Sequence, residues 1–323
     1  MEQSIHLRRK GQINVVLKNS TPQPAVRDAP IGYPKAEGQD WLQSPEHAPY
    51  QRMQESLDAL VGLEEIKGIL KEIYAWLYLN EQRRQQGLLV KQQALHMVFK
   101  GNPGTGKTTV ARIIARLFQD MKVLSKGHLI EAERADLVGE YIGHTAQKTR
   151  DLIKKAAGGI LFIDEAYSLA RGGEKDFGKE AIDTLVKGME DRHADFVLIL
   201  AGYPKEMDRF LSLNPGLPSR FPFHISFPNY SVVELVQIAE QMAADRQYAF
   251  DERLYPVIKN AFSQITEEEP PHFSNGRFIR NLLEHMIRAQ AVRLLDERNY
   301  ERDSLMTLKK QDAEIALKNV KFT

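Results

Sequence analysis

Gly101-Asn102-Pro103-Gly104-Thr105-Gly106-Lys107-Thr108 fits the spacing G-x-x-x-x-G-K-[ST]. Glycines so placed let backbone amides turn inward around an anion, with a helix N-terminus behind them. The amine of Lys107 is positioned to reach the β- and γ-phosphates of a nucleoside triphosphate, and the Thr108 hydroxyl to ligate Mg2+. Further on, Ile160-Leu161-Phe162-Ile163 runs into Asp164 and Glu165. Ligands of open parallel sheets bind at such strand ends. There Asp164 can hold magnesium through water, and Glu165 can polarise an attacking water as general base. Alone, the first segment could be a tight glycine turn and the second a solvated acidic turn. Together they point to hydrolysis of a phosphoanhydride. The glycine spacing is not that of the dinucleotide fingerprint G-x-G-x-x-G.

These groups need a parallel sheet to hold them. Leu95 to Phe99 reads as an apolar strand before the loop, and Val110, Ile113, Ile114, Leu117 and Phe118 as a helical stripe after it. The alternation continues through a short strand at Leu129-Ile130, a helix over 146–157 and a buried strand at 160–163. A helix over 179–191 and strands at 196–200 and 223–227 complete it. Continuous apolar strands alternating with helices predict a parallel sheet covered on both faces. Upstream, Leu57, Leu60, Leu63, Ile66, Ile69, Leu70, Ile73 and Leu77 recur at helical spacing, with Gly62 dividing a short helix from a long one. After Pro228 the strands largely stop. Ser231-Val232-Val233-Glu234 is a capping box, and helices are expected over about 231–246, 251–264 and 276–297, with Asp312 capping a last one. Residues 50–229 thus read as an αβα nucleotide-binding domain and 230–323 as a small helical domain. Residues 1–49 hold six of the fifteen prolines and read as an irregular segment, with room for a short strand at Gln12–Leu17.

The chain of 323 residues allows about two domains at roughly 150 residues each. Hydrophobic residues at 42% exclude a fully disordered chain, and 44 Lys+Arg against 43 Asp+Glu argue against bulk nucleic-acid binding through net charge. The absence of cysteine excludes disulfides, Cys-ligated zinc, iron–sulfur clusters and cysteine nucleophiles, and fits a reducing cytoplasm. Met1–Lys10 lacks the apolar core of a signal peptide, and no stretch approaches the ~20 apolar residues of a membrane span. None of the nine histidines falls in H-E-x-x-H, which leaves no sign of a metal hydrolase of that type.

The two phosphate-handling motifs, the Walker A and Walker B elements, make the chain resemble the P-loop ATPases of the AAA+ class. Ala94 to Pro103, Glu140 to Ala146, Gly159 to Tyr167 and Leu200-Ala201-Gly202-Tyr203 resemble its CbbX-like branch, which includes the red-type Rubisco activase. The likeness runs from about Leu57 to Leu317 and is most specific over 94–228.

The resemblance implies an AAA+ αβα sandwich with a parallel five-stranded sheet, followed by a helical lid. It implies ATP and Mg2+ as cofactors. Leu60, Val61 and Gly62 would surround adenine, and Gly101 through Thr109 (Asn102, Pro103, Gly104, Thr105, Gly106, Lys107 and Thr108 between them) would surround the phosphates. Arg220 matches the arginine finger that acts on a neighbouring subunit, and Arg277 the sensor-2 arginine of the lid, with Arg280 one turn later as its competitor. Tyr141 and Ile142 match the pore loop that grips a substrate chain, and Ala170–Gly178 would form a second such loop. Tyr203 takes the place of the usual polar sensor-1 residue.

The function so implied is a cytoplasmic, ring-forming ATPase. It would be hexameric with ATP and would remodel a protein substrate by pore-loop pulling, in bacterial sporulation. The competing reading is a DNA-handling ATPase of the clamp-loader or branch-migration type. Those append winged-helix or collar domains, for which the lid leaves no room before Thr323. A nucleotide switch without turnover is a third class, and Glu165 beside Asp164 argues against it.

Overall fold

The computed structural model describes residues 44–320, apart from 92, 142, 172–176, 192–194, 215 and 269–272. The expected strand at Gln12–Leu17 lies outside the described residues.

The first helix, α1 (Ala48–Asp58), follows a 3-10 turn over Pro45–His47. Helical structure therefore reaches back before Tyr50, into the stretch whose prolines suggested irregular chain. Pro45 and Pro49 both stand in the first turns, where a missing amide leaves no helical hydrogen bond unmade. His47 is buried, with Nδ1 2.5 Å from the Tyr74 hydroxyl of α2 (Glu64–Gln85).

The sheet is built from β1 (Met97–Gly101), β2 (Leu129–Ala132), β3 (Ile160–Ile163), β4 (Val197–Gly202) and β5 (Phe223–Phe227), in the order β2-β3-β4-β1-β5. All neighbours are parallel. Successive side chains point to opposite faces, so each strand feeds two cores. On one face Phe99, Phe162, Ile199 and Phe227 pack with α1, α2 and α3 (Lys107–Asp120). On the other, Val98, Leu161, Ile163 and Leu200 pack with α5 (His144–Lys155), α6 (Gly178–Asp191) and α7 (Pro204–Ser212). A one-turn α4 (Arg134–Leu137) links β2 to the loop before α5.

The helical part comprises α8 (Val232–Ala244), α9 (Tyr255–Glu268), α10 (Gly276–Glu297), α11 (Arg302–Met306) and α12 (Lys310–Asn319). It also contains a two-stranded parallel ribbon of β6 (Ala249–Phe250) and β7 (Thr307–Leu308) that the sequence did not signal. Leu235, Phe262, Phe278, Leu282 and Leu308 form its interior. The expected box starts α8: Glu234 N donates to Ser231 Oγ at 3.4 Å, and Ser231 N to Glu234 Oε2 at 2.7 Å. Asp312 stands at the third position of α12 rather than at its cap. It accepts from Lys309 N at 2.8 Å and takes Arg293 Nε and Nη2 on its two oxygens at 2.9 and 3.0 Å. Both members of this pair are buried, so neither could lose its partner without leaving an uncompensated charge.

Candidate functional site

The C-terminal end of β1 delivers the chain into the phosphate loop, and Lys107 opens α3 directly after it. Thr105 Oγ1 donates to Asn102 O at 2.8 Å, which closes the loop on itself. Lys107 Nζ donates to Gly101 O and Asn102 O, each at 2.8 Å. Gly104 has a left-handed backbone (φ 70°), and a Cβ there would lie 2.2 Å from Ser274 O and 2.8 Å from Arg277 N. Only glycine lets the start of α10 approach the loop so closely.

Lys107 is buried, and burial pulls its pKa down to about 8. The Asp164 carboxylate opposes that shift, the Arg277 guanidinium adds to it, and Glu165 opposes it more weakly. The amine, both acids and Arg277 therefore share one electrostatic site. Arg277 and Arg280 both line the cleft, but only the Arg277 charge is among those acting on Lys107.

Strand order places β4 between β1 and β3, so Tyr203, at the end of β4, stands between the phosphate loop and the two acids. Burial first, and the Glu165 charge second, raise the Tyr203 pKa. Glu165 itself is exposed and left-handed (φ 46°, ψ 42°), with its amide donating to Asp164 Oδ1 at 2.9 Å. That conformation is uncommon outside glycine and concentrates at functional sites. Tyr167, two residues after Glu165, is buried in the core on the face of the sheet that carries Val98 and Leu161. Its ring centroid is 5.9 Å from that of Tyr203, and the Arg171 guanidinium lies 4.7 Å from it on the ring face. Gly202 makes room for it: a Cβ there would sit 2.7 Å from the ring.

The resulting cleft has a volume of about 410 Å³, within the range of small-molecule sites. Of the residues singled out from the sequence, Leu60, Val61, Gly101, Pro103, Gly104, Gly106, Lys107, Thr108, Thr109, Asp164, Glu165, Tyr203 and Arg277 line it. Gly62, Asn102 and Thr105 do not reach its wall. Thr105 is buried within the loop, and Gly62 backs onto Glu234 of α8. Sequence reasoning missed three contributors. The Tyr230 hydroxyl donates to Thr105 O at 3.2 Å, Gln241 Nε2 donates to Ala59 O at 2.9 Å, and the buried Asn275 bonds to both the phosphate loop and Tyr230. An aromatic just past the last strand was the available signal for Tyr230. Gln241 gave none, because its role depends on α8 facing the turn after α1.

Arg220 and Tyr141 are not brought to the cleft. Arg220 is held by Glu190 and Gly216. Tyr141 is 67% exposed, touching His144 edge-on at 5.7 Å between centroids, and is not packed beneath its loop. Ile142 and most of the second expected loop (172–176) lie outside the described residues.

The donor set fits a triphosphate with magnesium. A buried amine and a glycine loop at a helix N-terminus suit the phosphates. Thr108 and Asp164 would hold the cation. Among the described residues no group of three or more His, Asp or Glu could hold a metal ion alone. Phosphate oxygens and water would supply the remaining ligands, the usual arrangement for Mg2+.

Comparison with known proteins gives concordant results. Residues 97–229 match the ATPase family associated with various cellular activities (AAA), and residues 231–322 match the AAA lid domain. The chain is 58% identical to "Stage V sporulation protein K" of Bacillus subtilis, over 98% of this chain and 97% of that protein. It is 45% identical to the chloroplastic ribulose bisphosphate carboxylase/oxygenase activase of Cyanidioschyzon merolae, over 75% of this chain and 84% of that one. The fold resembles the crystal structure of the FIGL-1 AAA domain in complex with ADP, with a TM-score of 0.57 and 18% identity over 81% of this chain and 83% of that one. The resemblance read from the motifs is thereby borne out.

Proposed function

The chain belongs to the AAA family of ATPases, and from that premise we propose that it is a Mg2+-dependent ATPase that assembles into a ring, hexameric with ATP, to remodel a protein substrate during sporulation. One observation carries the reading: the buried Lys107 amine, Asp164, Glu165 and the lid's Arg277 line a single nucleotide-sized cleft. The relative from B. subtilis supports the sporulation setting by its name. The algal relative, named for activating another enzyme, supports a protein as substrate. Among the described residues no helix is long and apolar enough to cross a membrane.

In this reading Leu60, Val61 and Gly62 flank the base, and the loop from Gly101 to Thr109 cradles the phosphates. Lys107 exchanges its two carbonyl partners for β- and γ-phosphate oxygens. Magnesium, when bound, neutralises charge that develops on the phosphates. Asp164 and Thr108 hold it, Glu165 orients and deprotonates the attacking water, and Arg277 approaches the terminal phosphate from the lid. Tyr203, which lines the same cleft, would serve as the sensor-1 residue beside that water. Arg220, turned away from its own cleft, serves the neighbouring protomer. Tyr141 and Ile142 engage the substrate chain in the central channel.

The Glu165→Gln variant with ATP tests this. It should bind ATP, lose about 10²–10⁴-fold in turnover, and run as a stable ring that retains a protein from sporulating-cell extract. Native turnover by the variant, or a particle whose size ignores ATP, would defeat the reading. DNA in the trap would move the chain to the clamp-loader class.

A further inference from the structure

Asn275 precedes α10 with φ 43° and ψ −116°, a conformation that glycine adopts readily and other residues do not. Such backbone persists where the surrounding contacts over-determine it. The side chain is fully buried, yet it does not cap its own helix. Its bonds go elsewhere. Nδ2 faces Phe273 O at 2.9 Å, Asn229 Oδ1 at 3.0 Å and Pro103 O at 3.3 Å, while Oδ1 accepts from Tyr230 N at 3.1 Å. The amide orientation is dictated by these partners, since two carbonyls need a donor and a backbone N–H needs an acceptor.

Three segments therefore meet on one amide: the phosphate loop, the connector after β5 and the approach to α10. Asn102 of the loop joins the same cluster by donating to Asn229 Oδ1 at 2.9 Å. The backbone adds Gly276 N to Gly104 O at 3.1 Å. Arg277 comes two residues after Asn275, on the first turn of α10; its N–H donates to Ser274 O at 2.9 Å, and its side chain makes no hydrogen bond or ion pair among the described residues.

We propose that Asn275 is a positioning residue: it fixes α10 against the phosphate loop so that Arg277 points at the terminal phosphate, and it thereby sets the preference for ATP over ADP. This deepens the proposed function and rests on it. Glycine at this position would satisfy the backbone without strain, so the amide is there for its bonds. Those bonds tie the side chain directly to the loop that would hold the phosphates. The lid and the terminal phosphate are in this way coupled through one side chain.

The test is a double-mutant cycle of Asn275→Gly and Arg277→Ala on the full chain, read as kcat, KM, and affinities for ATP and ADP. Asn275→Gly keeps the backbone conformation available and should unfold near the native temperature. We expect its kcat and its ATP-over-ADP preference to fall by roughly tenfold, inside the 5–150-fold range of typical couplings. In the Arg277→Ala background the same change should cost less than about twofold, because residues that act as a unit are not additive. Asn229→Ala, which removes an acceptor shared by Asn102 and Asn275, should move both quantities in the same direction and guards against a folding defect in the first variant. Native kcat and preference in Asn275→Gly, or an undiminished loss when Arg277 is already absent, would overturn the proposal while leaving the ATPase reading intact. A native protein that neither binds nor splits ATP would bring down both.

Discussion

Arg220 Nε donates to Glu190 Oε1 at 3.1 Å, bridging the turn before β5 and the end of α6, while its Nη1 donates to Gly216 O at 2.5 Å. Arg220 is absent from the lining of its own cleft. If it completes a neighbour's site, the arginine must leave Glu190 when protomers meet. The acid then acts as a competitor for the finger.

Surface ion pairs hold by about 0–1 kcal/mol, so this one should delay engagement only slightly. In Glu190→Gln, ATP turnover at limiting protein concentration should rise by up to about fivefold. Arg220→Ala should lose turnover by roughly 10³-fold or more. Mixing Arg220→Ala with Asp164→Ala should restore part of the activity. Turnover measured against protein concentration decides this: a slower Glu190→Gln enzyme would mean that Glu190 aims the finger, and no recovery at any mixing ratio would refute action in trans.

The depressed pKa of Lys107 gives nucleotide binding a pH dependence of definite sign. Burial favours the neutral amine and lowers the pKa to about 8. A triphosphate binds the charged form and raises the pKa again. Affinity should therefore be full below about pH 8 and fall by up to about tenfold per pH unit above it. Binding above pH 8 should take up a proton, which calorimetry in buffers of different ionisation enthalpy would detect. A dissociation constant flat from about pH 7 to pH 9.5 would contradict the assignment.

Gly202→Ala should damage both stability and turnover. The new methyl would lie 2.7 and 2.8 Å from Cδ1 and Cε1 of Tyr167 and 2.9 Å from the Met207 sulfur. Overpacking of this kind costs about 1–3 kcal/mol. Because Tyr167 lies in the turn that follows Glu165 and its ring neighbours Tyr203, its displacement should also lower kcat, with KM for ATP less affected. Thermal melts and steady-state kinetics check both effects. An unchanged melting temperature would show that the end of β4 yields without cost.

The chemistry was legible because its residues are contiguous. The glycine spacing from Gly101 to Thr108 and the apolar strand ending in Asp164 and Glu165 are local patterns, and local patterns carry their own geometry. Strand–helix alternation sufficed for the parallel sheet, and the capping box at Ser231 for the start of α8. The relationships that tertiary structure alone decided join residues far apart in the chain. The sequence puts Asn275 two residues before Arg277 but cannot show that its backbone is strained, or that its amide spans Pro103 and Tyr230. It shows neither that β4 inserts between β1 and β3, setting Tyr203 amid the site, nor that Gly202 is small because Tyr167 lies against it. Proline content at Pro45 and Pro49 misled because a helix start forgives the missing amide, and local composition does not show that His47, beside them, is buried against Tyr74. Periodicity fixes the elements because it depends on neighbours in sequence; the cleft depends on neighbours in space, which only burial of the whole chain brings together.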